Sequence, residues 1–268
     1  MLTKNQAKFI SGLKLKKNRE EHGLFIAEGV KIVNDILHSG IKVKQIFSSK
    51  NFQLDIFNYQ IEVVRIKESE LKKISALQTP NEVLAVCEMP KHQLKADELR
   101  GKLSLVLDTV QDPGNLGTII RIADWFGIEN IICSLDTVEV YNPKVIQATM
   151  GSISRVRVFY TELSAFLEDL EKSTKYQVPS TKTSAKINKQ VGGKLRLYGA
   201  VLDGDNIYTK VSVREGLIVM GNESKGISEN ILPFITDKIA VPNYGKGAES
   251  LNVAIATAVI AAEFKREK

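Results

Sequence analysis

Cysteine and histidine are scarce: the 268-residue chain has two of the first and three of the second. Cys87 and Cys133 stand far apart in apolar, strand-like runs, and His22, His38 and His92 are scattered. No metal-ligand spacing links them, so neither a zinc site nor a disulfide framework is expected, and this usage suits a reducing cytosol. Long apolar runs are missing too. The longest, Val253 to Ala262, is too short to span a bilayer and is broken by Thr257. The start, Met1-Leu-Thr-Lys-Asn5, lacks the apolar run of a signal peptide. The expectation is a cytoplasmic protein without a metal or a membrane segment. Neither a GxGxxG fingerprint nor a Walker loop occurs, which leaves dinucleotide and nucleoside-triphosphate readings unsupported. No nucleophile is placed beside a histidine base in sequence, although a distant histidine is free to fold in.

What is present is an ordinary globular balance, 43% hydrophobic and 25% charged, of a length for one large or two modest domains. The net charge of +6 fits an anionic partner such as RNA or DNA, and fits plainly solvated lysine equally well. The charge is uneven. Thr3 and Gln6 have capping-box spacing, so a helix is expected from about Lys4. Up to Arg19 the segment carries Lys4, Lys8, Lys14, Lys16, Lys17 and Arg19 and no acid. It reads as a basic arm on phosphates or as a solvated terminal helix, and the single sign favours the arm.

Strands and helices then alternate. Leu24–Ala27, Val43–Phe47, Glu62–Ile66 and Val83–Cys87 read as strands. The stretch from Glu28 towards Gly40, Phe52–Phe57 and Ser69–Leu77 read as helices. Glu28 is the polar residue to watch in this unit, with a place at a helix N-terminus as its structural reading. Residues 91–101 are polar and follow a proline, as a linker would. The nearly continuous apolar run Leu103–Asp108 suits a strand buried on both faces of a parallel sheet. A helix is expected from about Leu116 to Phe126. Beyond it come strands at Asn130–Ser134, Arg157–Tyr160, Tyr198–Leu202, Gly216–Met220 and Asp237–Val241, with helices near Pro143–Met150, Leu163–Glu171 and Val253–Phe264. This is a doubly wound α/β pattern, with ligands expected at the carboxyl ends of strands. The division is a small α/β domain with its basic arm at 1–90, a linker at 91–101 and a parallel-sheet α/β domain at 102–268.

Three loops of similar form follow apolar strands. In the first, Asn115 stands near a helix start and Arg121 lies six residues on; a capping Asn and a surface Arg explain them as well. In the second, Gly221 offers bare backbone beside the Glu223 carboxylate. In the third, Gly245 and Gly247 precede Ser250 and Asn252, which open an Ala-rich helix with free N–H groups or merely cap it. The three loops are expected to meet in one site.

Together, Asn115-x-Gly-x-x-x-Arg121, then Gly221-x-Glu223-x-x-Gly226, then Val241-Pro242 followed by Ser250-Leu-Asn-Val253 resemble, in order and spacing, the three motifs of the SpoU (TrmH-like) branch of the SPOUT RNA methyltransferases. The resemblance covers residues 103 to 268. Leu24-Phe-Ile-Ala-Glu-Gly-Val-Lys31 and Leu77-Gln-Thr-Pro80 also resemble the substrate-binding domain fused to many of these enzymes. The resemblance implies a trefoil-knotted α/β domain, a homodimer with residues of both chains in the site, S-adenosylmethionine as methyl donor, and a ribose 2′-hydroxyl as acceptor. Ribosomal RNA is expected rather than transfer RNA. It implies that Gly221, Val241 and Leu251 hold the cofactor. Asn115, Glu223, Ser250 and Asn252 then order the site and the ribose, and Arg121 activates the hydroxyl. Because a guanidinium stays protonated, Arg121 is better suited to holding a phosphate and a developing alkoxide. The competing reading is a non-catalytic RNA-binding or ribosome-assembly protein of the same fold, which would bind no cofactor.

Overall fold

The computed structural model describes residues 2–50, 61–175, 195–210 and 215–266; the helix expected at Phe52–Phe57 lies outside them. They form two compact units, each made of several chain segments. The first takes Met1–His92, Gln111–Trp125 and Val138–Arg157; the second takes Gln93–Val110, Phe126–Thr137 and Val158–Lys268.

The first unit opens with α1 (Lys4–Gly12) and α2 (Lys16–His22). The capping box is formed: Gln6 N donates to Thr3 Oγ1 at 3.2 Å, and Thr3 N donates to Gln6 Oε1 at 3.1 Å. Gly12 ends α1, where a Cβ would stand 2.9 Å from the Asn18 amide that donates to its carbonyl. Then follow β1 (Leu24–Glu28), α3 (Val30–Leu37), β2 (Val43–Ser48), β3 (Glu62–Arg65), α4 (Glu68–Ile74) and β4 (Val83–Glu88). The sheet runs β1-β4-β2-β3; β4 is antiparallel to β1 and β2, and β2 is parallel to β3. Ile26, Phe47, Leu71, Ile74 and Leu84 fill its core, and α1 adds Ile10. The later segments of this unit hold α5 (Pro113–Trp125) and α6 (Pro143–Thr149). These two helices touch at Gly117, where a Cβ would come 2.4 Å from Ala148 Cβ and 2.9 Å from the Val145 carbonyl oxygen. Glycine there is a packing requirement.

Two polar residues of this unit differ from expectation. Glu28 is the last residue of β1 and caps no helix start. It accepts from Ser75 Oγ at 2.5 Å and Ala76 N at 2.8 Å, tying β1 to the chain leaving α4. Burial pushes its carboxyl up, against the opposing pull of those two bonds and of Lys14. Arg19 is not part of the phosphate arm. It is 2% exposed, donates to the carbonyls of Leu13 and Lys14 at 2.8 Å, and pairs with Glu139 of the same unit. Lys4, Lys8, Lys16 and Lys17 remain exposed.

The second unit is a six-stranded sheet in the order β10-β8-β9-β5-β6-β7. Its strands are β5 (Leu103–Leu107), β6 (Asn130–Ser134), β7 (Arg157–Thr161), β8 (Leu197–Asn206), β9 (Gly216–Met220) and β10 (Asp237–Ala240). The pairings β10/β8, β8/β9, β9/β5 and β5/β6 are all parallel. Every residue of β5, β6 and β9 is buried, which suits their largely apolar runs, broken by Ser104, Asn130 and Ser134. α7 (Leu163–Lys175) supplies Leu163, Leu167 and Leu170 to the core, and α8 (Ile207–Lys210) and α9 (Val253–Lys265) complete the unit. The stretch read as a linker adds to this core: Leu99 is fully buried there. Where Lys238 pairs with Gly199 the next residue, Ile239, pairs with Asp205, so Ala200 to Gly204 bulge out of β8. Gly204 lies against the Ile239 backbone, which a Cβ would meet at 2.5 Å. Among the described residues no helix is long and apolar enough to cross a membrane.

Candidate active site

In a parallel sheet all carboxyl ends share one edge. The loops after β5, β9 and β10 therefore leave the second unit on the same side, with β5 and β9 adjacent and β8 between β9 and β10.

The loop after β9 is held tightly. Asn222 and Gly226 exchange both backbone hydrogen bonds at 2.9 Å, closing a turn over Glu223, Ser224 and Lys225. Asn222 Oδ1 accepts from Ser224 N at 3.0 Å and Lys225 N at 3.1 Å. Its Nδ2 donates to the Thr109 carbonyl at 2.8 Å, joining this loop to the one after β5. Thr109 is a β-branched residue at φ +62°, a conformation that costs free energy and persists only when its surroundings enforce it. Asn222 holds its carbonyl, and Ser134 Oγ accepts its N–H at 2.8 Å. Beside it the buried Asp108 accepts from Ser228 N at 2.7 Å and Ser228 Oγ at 2.6 Å, while its own N–H reaches the Met220 carbonyl at 2.9 Å. The ends of β5, β6 and β9 are thus one hydrogen-bonded frame.

The sequence-predicted residues fall into two groups. Gly221, Glu223, Val241, Ser250, Leu251 and Asn252 all belong to loops at that edge of the second unit. Asn115 and Arg121 lie on α5 in the first unit. Gly221 is buried, and a Cβ there would stand 2.2 Å from the Gly226 carbonyl carbon and 2.3 Å from Ile227 N. Its missing side chain admits the loop's own backbone; the turn, not a ligand, fills that space. Glu223 is exposed at the tip of the turn. From Val241 to Asn252 the chain is neither sheet nor helix. Asn243 closes its first part, accepting from Gly245 N and donating to the Ala248 carbonyl, each at 2.8 Å. Asn252 is the N-cap of α9, its Oδ1 accepting from Ala254 N at 2.9 Å and Ile255 N at 3.3 Å.

α5 begins three residues before the expected start. Asp112 accepts the Asn115 N–H at 2.8 Å, and Pro113 occupies the first helical position, where its missing N–H is no loss. Asn115 therefore sits inside the first turn. Arg121 is exposed on the same helix and makes no ion pair among the described residues.

An adenosyl ligand calls for apolar surface beside its ring and for peptide groups not already used by sheet or helix. Val241 is half-buried and Leu251 is 49% exposed, giving apolar surface along an irregular segment whose peptide groups lie outside sheet and helix. Among the described residues no cluster of acidic, histidine or cysteine side chains is placed to hold a metal ion. Sequence reasoning missed the frame of Asp108, Thr109, Ser134, Asn222 and Ser228. One signal was available: Asp108 is the polar residue that ends the apolar run of β5, where α/β sheets place their ligands.

Such an arrangement defines an α/β protein with a hydrogen-bonded frame of loops at the carboxyl edge of a parallel sheet, the edge where sheets of this kind take their ligands. Residues 102–262 match the model of the SpoU rRNA Methylase family, and residues 4–85 that of the MRM3-like substrate binding domain. The chain belongs to the SpoU rRNA methylase family. It is similar to the 23S rRNA (guanosine(2553)-2′-O)-methyltransferase RlmP of Bacillus subtilis, 29% identical over 250 residues, covering 92% of this chain and 91% of that one. A solved TrmH-family structure from Porphyromonas gingivalis superposes with a TM-score of 0.83 at 32% identity over 98% of both chains. An AdoMet-bound rRNA methyltransferase from Sinorhizobium meliloti does so with a TM-score of 0.79 at 26% identity, over 99% of this chain and 95% of that one.

Proposed function

We propose that this protein transfers a methyl group from S-adenosylmethionine to a ribose 2′-hydroxyl of ribosomal RNA. The observation that carries the reading is the set of polar residues in family order, Asn115, Arg121, Glu223, Ser250 and Asn252, with six predicted site residues on loops at one sheet edge. RlmP, an rRNA 2′-O-methyltransferase by name, is similar over nine-tenths of both chains, which favours ribosomal over transfer RNA. The cofactor supplies an electrophilic methyl on a sulfonium. The residues proposed to hold it are Gly221, Val241 and Leu251, through backbone groups and apolar contact. Glu223, Ser250 and Asn115 orient the ribose. Asn252 fixes the start of α9 so that neighbouring groups keep their places. Arg121, charged throughout, binds a substrate phosphate and stabilises negative charge as the 2′-oxygen loses its proton to solvent. Catalysis of an in-line displacement rests on such positioning.

Residues 1–90 act as the RNA-binding domain and 102–268 as the methyltransferase domain, and the connecting stretch 91–101 is anchored by Leu99 in the second unit's core. The working form is a cytoplasmic homodimer whose catalytic domain carries the family's trefoil knot, and α9, with Ile255 53% exposed, is the proposed seam. The test is transfer of a labelled methyl group to unmodified ribosomal RNA and to bulk transfer RNA, followed by digestion to nucleosides. Label on ribose in ribosomal RNA is expected. Label on a base, or on transfer RNA alone, overturns the corresponding half of the reading.

A further inference from the structure

The N-terminal helices carry a feature that methyl transfer does not require. Between α1 and α2 lies an open groove of about 460 Å³. Phe9, 42% exposed, lines it and meets His22 edge-on, with ring centroids 5.0 Å apart. Lys8 and Asn5 line it from α1, and Asn18 and Glu21 from α2. Lys4, Lys16 and Lys17 stand exposed on the same two helices. An exposed aromatic pair beside several cations suits neither a core nor a simple solvated helix.

We propose that this groove binds an unpaired nucleotide of the RNA substrate, which rests on the reading that RNA is the substrate. The base stacks on the open face of Phe9, braced by His22; stacking on an aromatic ring is the usual means of holding single-stranded bases. Lys8, with Lys4, Lys16 and Lys17 around the groove, takes the flanking phosphates. Glu21 is acceptor-only and has no ion-pair partner among the described residues. Facing a base edge, it favours one that carries an exocyclic amino group (adenine, cytosine or guanine) over uracil, whose single N3–H donor is flanked by two carbonyl oxygens that repel a carboxylate. Asn18 is fixed by its bond to the Gly12 carbonyl and sets the groove's floor.

The test uses the full-length protein and fluorescently labelled single-stranded RNA of twelve adenosines, cytidines or uridines, titrated at several salt concentrations. Adenosine and cytidine oligomers are expected to bind more tightly than uridine, and Glu21→Gln to narrow that difference. Phe9→Ala is expected to weaken binding by about five- to a hundredfold, the range for loss of one stacked base. Lys8→Gln should lower the salt slope by about 0.7, the value for one phosphate on a single strand. Phe9 and Lys8 are surface residues, and circular dichroism checks that each variant folds. Unchanged binding in both Phe9→Ala and Lys8→Gln overturns the groove, and equal binding of the three oligomers by the unaltered protein overturns the role of Glu21. The two readings fail separately. Groove binding without methyl transfer to any RNA leaves this site standing and removes the proposed reaction. Methyl transfer with unchanged kcat/KM in Phe9→Ala does the reverse.

Discussion

Arg121 is the residue on which the proposed chemistry turns. It is exposed, unpaired among the described residues, and cannot give up its proton at neutral pH. Arg121→Ala is therefore expected to lose at least about a hundredfold in kcat, the scale for removing one donor aimed at developing charge, with cofactor affinity by calorimetry unchanged. Near-normal turnover would remove Arg121 from the mechanism. Glu28 presents the opposite case, a carboxyl with a structural task. Burial raises its pKa above the value in the unfolded chain, so the folded state holds the proton more tightly. The stability this contributes is fully present below the ordinary carboxylate range and is lost as pH rises through the raised folded value. Glu28→Gln keeps the shape without the charge. Its melting temperature is expected to gain on that of the unaltered protein between pH ~4 and pH ~7, and a pH-independent difference would contradict the assignment.

At the scale of elements, the loop after β9 ties the proposed cofactor site to the fold's own hydrogen bonds. Gly221→Val drives a side chain into the Gly226–Ile227 backbone, so it is expected to weaken S-adenosylmethionine binding by disordering the turn. Asn222→Ala removes the side-chain bonds that hold the same turn without adding bulk. It should reproduce the loss of affinity in calorimetry; normal binding in Asn222→Ala would mean that the turn does not shape the cofactor site. Sequence pattern made most elements legible. β6 and β9 run as read, because period and composition agree when a strand is buried on both faces. The start of α5 was misplaced because Asp112 and Pro113, residue types common in turns, serve here as a helix cap and its first position. Among the predicted site residues, Gly221 shows the limit of pattern: a glycine in sequence does not say what approaches it, and here the Gly226–Ile227 backbone does. Asn222 was passed over because its side-chain partners are a turn of its own chain and a carbonyl 113 residues away. The roles of Glu28 and Arg19 were hidden likewise, since Ser75 and Glu139 are brought to them only by the fold.

At the scale of the molecule, α9 is the element that a second copy would explain. It buries Val253, Thr257, Ile260 and Phe264 yet leaves Ile255 exposed and Ala256, Ala258 and Val259 half-covered. Light scattering at micromolar concentration is expected to give twice the 29.8 kDa chain mass, and Ile255→Glu to lower it. A monomer at that concentration would remove the seam. The interleaving of the first unit has its own consequence for how the protein is made. Arg19 and Phe25 take their partners from Glu139 and Tyr141, so the amino-terminal sheet meets its last neighbours only after more than half of the chain has been synthesised. On the ribosome this sheet must wait with part of its surface uncovered while β5 and β6 emerge. Assembly cannot proceed strictly from the first residue to the last, and the protein is born with its two units unfinished together.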